Sequence, residues 1–318
     1  MKTKDNYFNI LRGGVHTTFQ DLGFKKFQHL GIATGGVVDN NLFHLANKLL
    51  GNQLNTPILE FTNQGPLLDL KKGKCRFAIT GNVRFNIIKD EMVIVGIPNR
   101  TYFLNQGEQV DILSTTDSNY GYFSIEGGFK LKKLYGSYST LTESEIGVNE
   151  GKKISNNQFI FFNNHGSNFN SKIDINFKIS NLIRVIKGPQ MNYFMLKNIF
   201  KFFNNKFLIS NSTNRMGVRL EGNIIKATKS HNISSEGIIK GSIQIPGNGD
   251  PIVLINDHPT IGGYPKIANV ILSDIATLSQ LPPRTLFNFK EVTLSEAENI
   301  YKKNKLLFNN KLHEISKI

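Results

Sequence analysis

Short apolar runs of Ile, Val, Phe and Leu recur along the chain. They are cut every few residues by Gly, Asn, Asp or Pro, a punctuation that admits strands and tight turns but few long helices. Phe8 to Leu11, Ile58 to Phe61, Leu67 to Leu70, Arg76 to Thr80, Phe85 to Ile88, Met92 to Val95, Gln109 to Leu113 and Tyr122 to Ile125 all read as strands. The pattern resumes at Leu182 to Ile186, Phe207 to Ile209, Ile238-Ile239, Ile243 to Ile245 and Ile252 to Ile255. The expected class is mostly β. One segment departs clearly from it: Leu42, Leu45, Ala46, Leu49 and Leu50 follow helical spacing between Asp39, an N-cap, and Gly51, a stop. A second helix is predicted from Met191 to Phe203, with Phe194, Leu196, Ile199 and Phe203 covering a core. A capping box, Thr293-Leu294-Ser295-Glu296, opens a C-terminal helix whose Lys-rich continuation reads as a solvated face.

A chain of 318 residues suggests two domains of roughly 100–200 residues each. The polar stretch Asn163 to Asn170 precedes a fresh strand, which places the boundary near Asp174. The expected domains are 1–174 and 175–318, the second with a helical tail. The net charge of +14 invites a nucleic-acid reading. The lysines are spread along the whole chain, however, and no zinc-finger spacing or aromatic RNA-binding motif accompanies them, so nucleic acid is not the expected partner. A positive field that draws in small anions is the alternative use. The lone Cys75 excludes an intrachain disulfide and a four-cysteine zinc site, and its apolar neighbours predict a buried strand thiol. No apolar signal core follows Met1, and no run approaches the ~20 apolar residues of a membrane span, so the expectation is a cytoplasmic protein without membrane contact.

Two loop regions gather polar residues and glycine. The first is Thr17 to Gly23 followed by Gly35 to Asp39. There Asp39 is assigned to helix capping and the glycines to tight turns, whereas Gln20 and Asp21 have no evident local job. The second begins at Asn214-Arg215-Met216-Gly217-Val218-Arg219 and passes through Ser235-Glu236-Gly237 and Gly241 to Pro246. It ends in Asp257 to Lys266. Arg215 and Arg219, four apart, suit a single carboxylate or phosphate, or else pair with Glu221 or Glu236 as salt bridges. Gly262-Gly263 permits close approach of backbone to a ligand, with Tyr264 and Lys266 as flanking donors. His258 beside Asp257 is a candidate general base or a capping residue. No phosphate-binding glycine loop, nucleophile elbow or HExxH spacing is present.

These regions together resemble the KipA-like family: the C subunit of 5-oxoprolinase and the related carboxyltransferase region of urea carboxylase. The resemblance rests on Thr18-Phe19-Gln20-Asp21-Leu22-Gly23, Asp39, Leu45-Ala46-Asn47, Gly136-Ser137 and Gly188-Pro189-Gln190. It continues in Arg215-Met216-Gly217, Arg219-Leu220-Glu221-Gly222, Ser235-Glu236-Gly237, Gln244, Asp257, Thr260 and Gly262-Gly263-Tyr264-Pro265-Lys266, in order along nearly the whole chain. It implies two cyclophilin-like β-barrel lobes with a few short helices. It also implies assembly with a KipI-like B subunit and, in the oxoprolinase case, with an A subunit. The implied activity is ATP-dependent opening of the lactam of 5-oxoproline to glutamate, with ATP bound through the KipI-like partner. Two alternatives come with it: a carboxyltransferase acting on urea or another amide, with biotin carried on another protein, and a regulatory antagonist without turnover. For the site, the resemblance implies Asp21, Asp257 and Lys266 as catalytic residues. Gln20, Arg215, Arg219, Glu236, Gln244, Thr260, Gly262, Gly263 and Tyr264 would bind the small amide substrate. The sequence departs from the family pattern at Gly35, Tyr120, Tyr138 and Asn156-Asn157, which could shift the substrate.

Overall fold

The computed structural model describes residues 5–163, 166–175 and 179–318. Residues 1–4 of the N-terminal reading and Asn164 and His165 of the polar stretch lie outside them. The chain divides into two compact units. Unit 1 comprises Met1–Phe24, Gly35–Phe177 and Asn309–Ile318; unit 2 comprises Lys25–Thr34 and Lys178–Phe308. The sequence-based division at 174 therefore differs in two excursions. Residues 25–34 belong with the second unit and the last ten with the first, a long-range exchange that local composition does not record.

The mostly β character expected from the punctuated runs is what forms. Unit 1 holds β1 (Asn6–Arg12), β2 (His16–Gln20), helix α1 (Asn40–Leu49), β3 (Ile58–Thr62), β4 (Leu67–Lys72), β5 (Lys74–Thr80), β6 (Val83–Lys89) and β7 (Met92–Val95). It continues with β8 (Arg100–Asn105), β9 (Gln109–Thr115), β10 (Tyr120–Ile125), β11 (Thr140–Leu141), β12 (Ile146–Gly147), β13 (Phe159–Phe162) and β14 (Ser171–Lys172). One sheet runs β13-β1-β4-β9-β6-β7; the other runs β2-β3-β10-β5-β8-β14 and ends on the strand Ser316–Lys317. Alternating side chains, among them Phe8, Phe61, Phe77, Phe85 and Phe123, meet in one apolar core. Cys75 lies at its margin on β5, and burial pushes its thiol pKa upward, as expected of an unreactive strand thiol.

Helix α1 begins where the sequence placed it: the Asp39 carboxylate accepts from Asn41 N and Leu42 N. Its far end is closed by Arg76, whose guanidinium donates to the carbonyls of Leu49 and Leu50 and pairs with Glu126 at 3.6 Å. A buried cation thus meets the negative end of the helix.

Unit 2 is organised by a closed barrel. Its strands are β15 (Leu182–Lys187), β16 (Phe207–Ile209), β17 (Gly217–Glu221), β19 (Ser242–Gln244), β20 (Ile252–Leu254), β22 (Lys266–Val270) and β23 (Leu286–Glu291). They run in the order β15-β22-β19-β20-β17-β16-β23, and parallel pairing of β15 with β23 closes the ring. Outside the ring, β18 (Glu236–Gly237) and β21 (Ile261–Gly262) pair with each other. Helices α2 (Leu196–Asn204), α3 (Leu272–Gln280) and α4 (Leu294–Leu312) complete the fold. The capping box opens α4 as predicted, with Thr293 N donating to Glu296 and Glu296 N donating back to Thr293 Oγ1. Helix α2 starts later than predicted, after Met195, and this shift changes its inward face: Leu196 is exposed, and Phe202 enters the core instead. Among the described residues no helix is long and apolar enough to cross a membrane.

Phe202 stacks on Phe289 with ring centroids 4.7 Å apart and packs against Phe207. Phe202→Ala is expected to cost about 3–5 kcal/mol of stability, by lost burial and the cavity left behind. Denaturant unfolding checks this; a loss below about 1 kcal/mol would mean that α2 contributes little to the barrel core.

Candidate functional site

A barrel strand turns alternate residues inward and outward. On β19 and β22 Ile243, Ile267 and Ala268 pack in the barrel core, the adjacent pair Ile267 and Ala268 falling at a bulge opposite Ile243. The outward set is polar: Ser242, Gln244, Lys266 and Asn269. Gln244 stands directly opposite Lys266 across the ladder, after a bulge beside Ile243. Outward residues on a barrel are normally solvated, yet Lys266 is 4 % exposed and Gln244 6 %. Part of that cover is the β18–β21 pair. Gly262 of β21 comes so close that a Cβ built on it would lie 2.7 Å from Gln244 Nε2. A larger residue there would have to displace the ends of the Gln244 and Ile238 side chains.

The Lys266 ammonium is held by one carboxylate. Its Nζ donates to Glu236 Oε1, and Glu236 sits at the start of β18 with its side chain 43 % exposed. Gln190 ties both together: its Nε2 donates to Glu236 Oε1 at 2.7 Å, and its Oε1 accepts from Lys266 N at 3.1 Å. These hydrogen bonds, that from Lys266 above all, hold the Glu236 carboxyl below the ordinary carboxylate range. Gln244 Nε2, by contrast, is a buried donor with no acceptor among the described residues. Unpaired buried donors are costly and uncommon, which singles out Gln244 as a candidate binding residue. Ser242 Oγ and Asn269 Oδ1, on residues opposite each other in the same ladder, are also buried and without partner there.

The other residues singled out from the sequence divide by role. Arg215 and Asp257 find each other: Nε to Oδ2 at 2.8 Å and Nη2 to Oδ1 at 2.9 Å, with both side chains buried. The backbone joins in, Asp257 N donating to the Arg215 carbonyl at 2.8 Å. A two-pronged buried pair of this kind clamps the loop before β17 to the loop after β20. Arg219 is exposed on β17, so the two arginines do not form one anion fork. The reason is local: Arg215 sits before the strand and Arg219 within it, and neither follows the helical spacing that would stack them. Thr260 contributes its carbonyl to Ile238 N, Gly263 lies against the Ile233 carbonyl, and Tyr264 is 40 % exposed. His258 is buried, its Nδ1 donating to the Pro259 carbonyl at 2.6 Å, and burial lowers its pKa.

Gln20 and Asp21 belong to unit 1; every other candidate belongs to unit 2. The job that the sequence did not reveal for Asp21 is long-range. Its carboxylate accepts from Ser137 Oγ, Ser139 Oγ, Tyr138 N and Gly23 N at 2.5–3.0 Å. Gln20 Nε2 donates to Thr18 Oγ1 and the Thr140 carbonyl. Both staple the 137–140 segment to the end of β2. Beside them Gly36, at φ 81°, passes so close to Leu22 and Gly23 that a Cβ would lie 2.9 Å from their backbone.

The residue that sequence reasoning left out of the site is Gln190. Its signal was present in the Gly188-Pro189-Gln190 motif, but nothing local linked it to Glu236 or Lys266. Two outcomes follow from these contacts. Asp257→Ala removes the two-pronged carboxylate from the buried Arg215 guanidinium and is expected to destabilise unit 2 by about 3–5 kcal/mol, measured by denaturant unfolding. A loss under about 1 kcal/mol would mean that the clamp is dispensable. The Glu236–Lys266 contact carries a pH signature of definite sign. Because the folded carboxyl lies below its usual value, the contact stabilises at and above the ordinary carboxylate range. That stabilisation disappears as pH falls through the lowered pKa. The Glu236 carboxylate is half exposed, so the effect is below about 1 kcal/mol. Thermal melting from pH 7 to pH 3 should show an acid limb that Glu236→Gln reduces; identical profiles would contradict the assignment.

Comparison with known proteins places this geometry. Residues 30–291 match the family model described as carboxyltransferase domain, subdomain A and B. The chain is 32% identical over 291 residues to the C subunit of 5-oxoprolinase from Escherichia coli, covering 91% of this chain and 92% of that one. It is 30% identical over 300 residues to the Haemophilus influenzae 5-oxoprolinase C subunit, covering 94% and 95%. Urea amidolyase of Saccharomyces cerevisiae is 26% identical over 310 residues, which are 90% of this chain but 17% of that much longer protein. The crystal structure of the K. lactis urea amidolyase superposes with a TM-score of 0.86 at 24% identity, over 98% of this chain and 20% of that one, a likeness of fold. The chain belongs to the carboxyltransferase-domain family, subdomains A and B.

Proposed function

We propose that the chain is the C subunit of an ATP-dependent 5-oxoprolinase, and that the outer face of its barrel takes hold of the lactam oxygen of 5-oxoproline. The similarity to the E. coli C subunit, nearly end to end in both chains, supports the reading. The structural observation that carries it is the pair of donors at the β19–β22 ladder: a buried lysine ammonium and, opposite it, a buried amide N–H2 lacking an acceptor. An amide oxygen seated between them accepts from both. Both interactions strengthen as negative charge develops on that oxygen, which is the requirement of any reaction that activates an amide for attack.

The remaining residues then take supporting parts. Glu236 is the resident counter-ion that keeps Lys266 ordered, and Gln190 fixes the two relative to each other. Gly262 and Gly263 let backbone approach the bound molecule, with Tyr264 exposed beside them. Asp21 and Asp257 pass from a catalytic to a structural assignment, their oxygens being committed to folding contacts. ATP is assigned to a KipI-like B subunit or to an A subunit, since this chain has no glycine-rich phosphate loop. Addition of water to the activated lactam, giving glutamate, is shared with those partners.

The family model and the urea amidolyase likeness favour a second reading, biotin-dependent carboxyl transfer to urea or another amide. The same two donors would polarise that planar amide, with the biotin carried on a different protein.

Co-expression with the partner proteins tests the reading. The assembled complex should open 5-oxoproline only with ATP, and Lys266→Met should lower kcat by roughly 10²–10³ without preventing assembly. Unchanged turnover in the variant rejects the role of Lys266. A complex inert towards 5-oxoproline that carboxylates urea from a biotinylated protein favours the second reading. One inert towards both favours the regulatory antagonist.

A further inference from the structure

Unit 1 carries a cavity of about 580 Å³ between the turn after β5 and the entrance to β8, within the usual ~300–1,000 Å³ range of small-molecule sites. Its lining includes Asn82, Val83, Asn99, Arg100, Thr116 and Ile173, and Asp174 also faces it. None of these residues takes part in the site described above.

Two of them are unsatisfied. Asn99 is 9 % exposed and its Oδ1 is buried with no hydrogen-bond partner; Arg100 Nε is likewise buried without an acceptor among the described residues. Adjacent residues in an extended chain face opposite ways, which would send these two side chains apart. Asn99 escapes that rule because its backbone is left-handed, at φ 62°, where β8 begins, and both residues border the one cavity. The position is held firmly: Asn99 N donates to the Ile79 carbonyl and its own carbonyl accepts from Ile173 N. Two adjacent residues that line the cavity thus carry a guanidinium Nε without an acceptor and an amide oxygen without a donor among the described residues.

We propose that this cavity binds a small carboxylate that also carries an N–H group, with an α-amino acid as the simplest such molecule. The carboxylate takes the Arg100 edge, where a guanidinium offers two parallel donors. The N–H donates to Asn99 Oδ1, and the nearby Asp174 carboxylate favours a cationic amine over a neutral one. Val83 and Ile173 give the short carbon chain an apolar wall.

Calorimetric titration of the full chain tests this with L-alanine, L-glutamate and propionate as probes. Saturable binding of the amino acids is expected, with propionate at least about tenfold weaker and Arg100→Gln weakening all three by about tenfold or more. Should Arg100→Gln not fold, the exposed Asp174→Asn serves instead: it should weaken the amino acids and leave propionate unchanged. Lys266→Met in unit 2 should leave the L-alanine and propionate titrations as they were. The proposal is overturned by absence of binding for all three probes, by propionate binding as tightly as alanine, or by unchanged affinities in folded Arg100→Gln. Loss of L-alanine binding in Lys266→Met would also overturn it, by moving the binding to the other unit.

Discussion

Lys266 sits on the outer face of a closed barrel, almost without solvent, and faces a single carboxylate that is itself half exposed. The asymmetry is physical rather than incidental. Burying an ammonium costs several kcal/mol that its neighbours must offset, while a counter-ion at the surface can be exchanged for another at small cost. The cation is therefore fixed by the fold and its partner is replaceable. Gln244, one ladder position across, adds a donor that folding leaves unsatisfied. The barrel register sets Gln244 opposite Lys266, and Gln190 braces the Lys266 backbone and Glu236.

The carboxylates elsewhere in the chain illustrate the opposite condition. Asp21 gathers four donors and Asp257 both prongs of Arg215, so each is spent on holding loops together. Such groups resemble catalytic acids in sequence, polar and loop-borne among glycines. What separates them from Gln244 is that their oxygens already have partners in the fold, whereas its amide nitrogen has none among the described residues.

Local signals were legible in the sequence. Asp39 and the Thr293–Glu296 box mark helix starts through side-chain oxygens that reach backbone N–H groups only two or three residues away. Strand runs such as Arg76 to Thr80 are readable because alternation and turn residues act over the same short range. What could not be read depends on separation along the chain. Asp21 meets residues 137–139, Arg215 meets Asp257, and Gln190 meets Glu236 and Lys266. Helix α3 was missed because few of its residues, chiefly Ile275 and Leu278, are apolar and buried, too sparse for a helical period. The onset of α2 was misplaced because Leu196 is apolar yet exposed.

The central claim is that Lys266 Nζ and Gln244 Nε2 together receive an amide oxygen. A crystal structure of the assembled complex with a non-hydrolysable analogue of the lactam tests it most directly. The account predicts the analogue's carbonyl oxygen within about 3.2 Å of both nitrogens. An analogue bound in the assembled complex with its oxygen remote from β19 and β22, and Gln244 still without an acceptor, would contradict it.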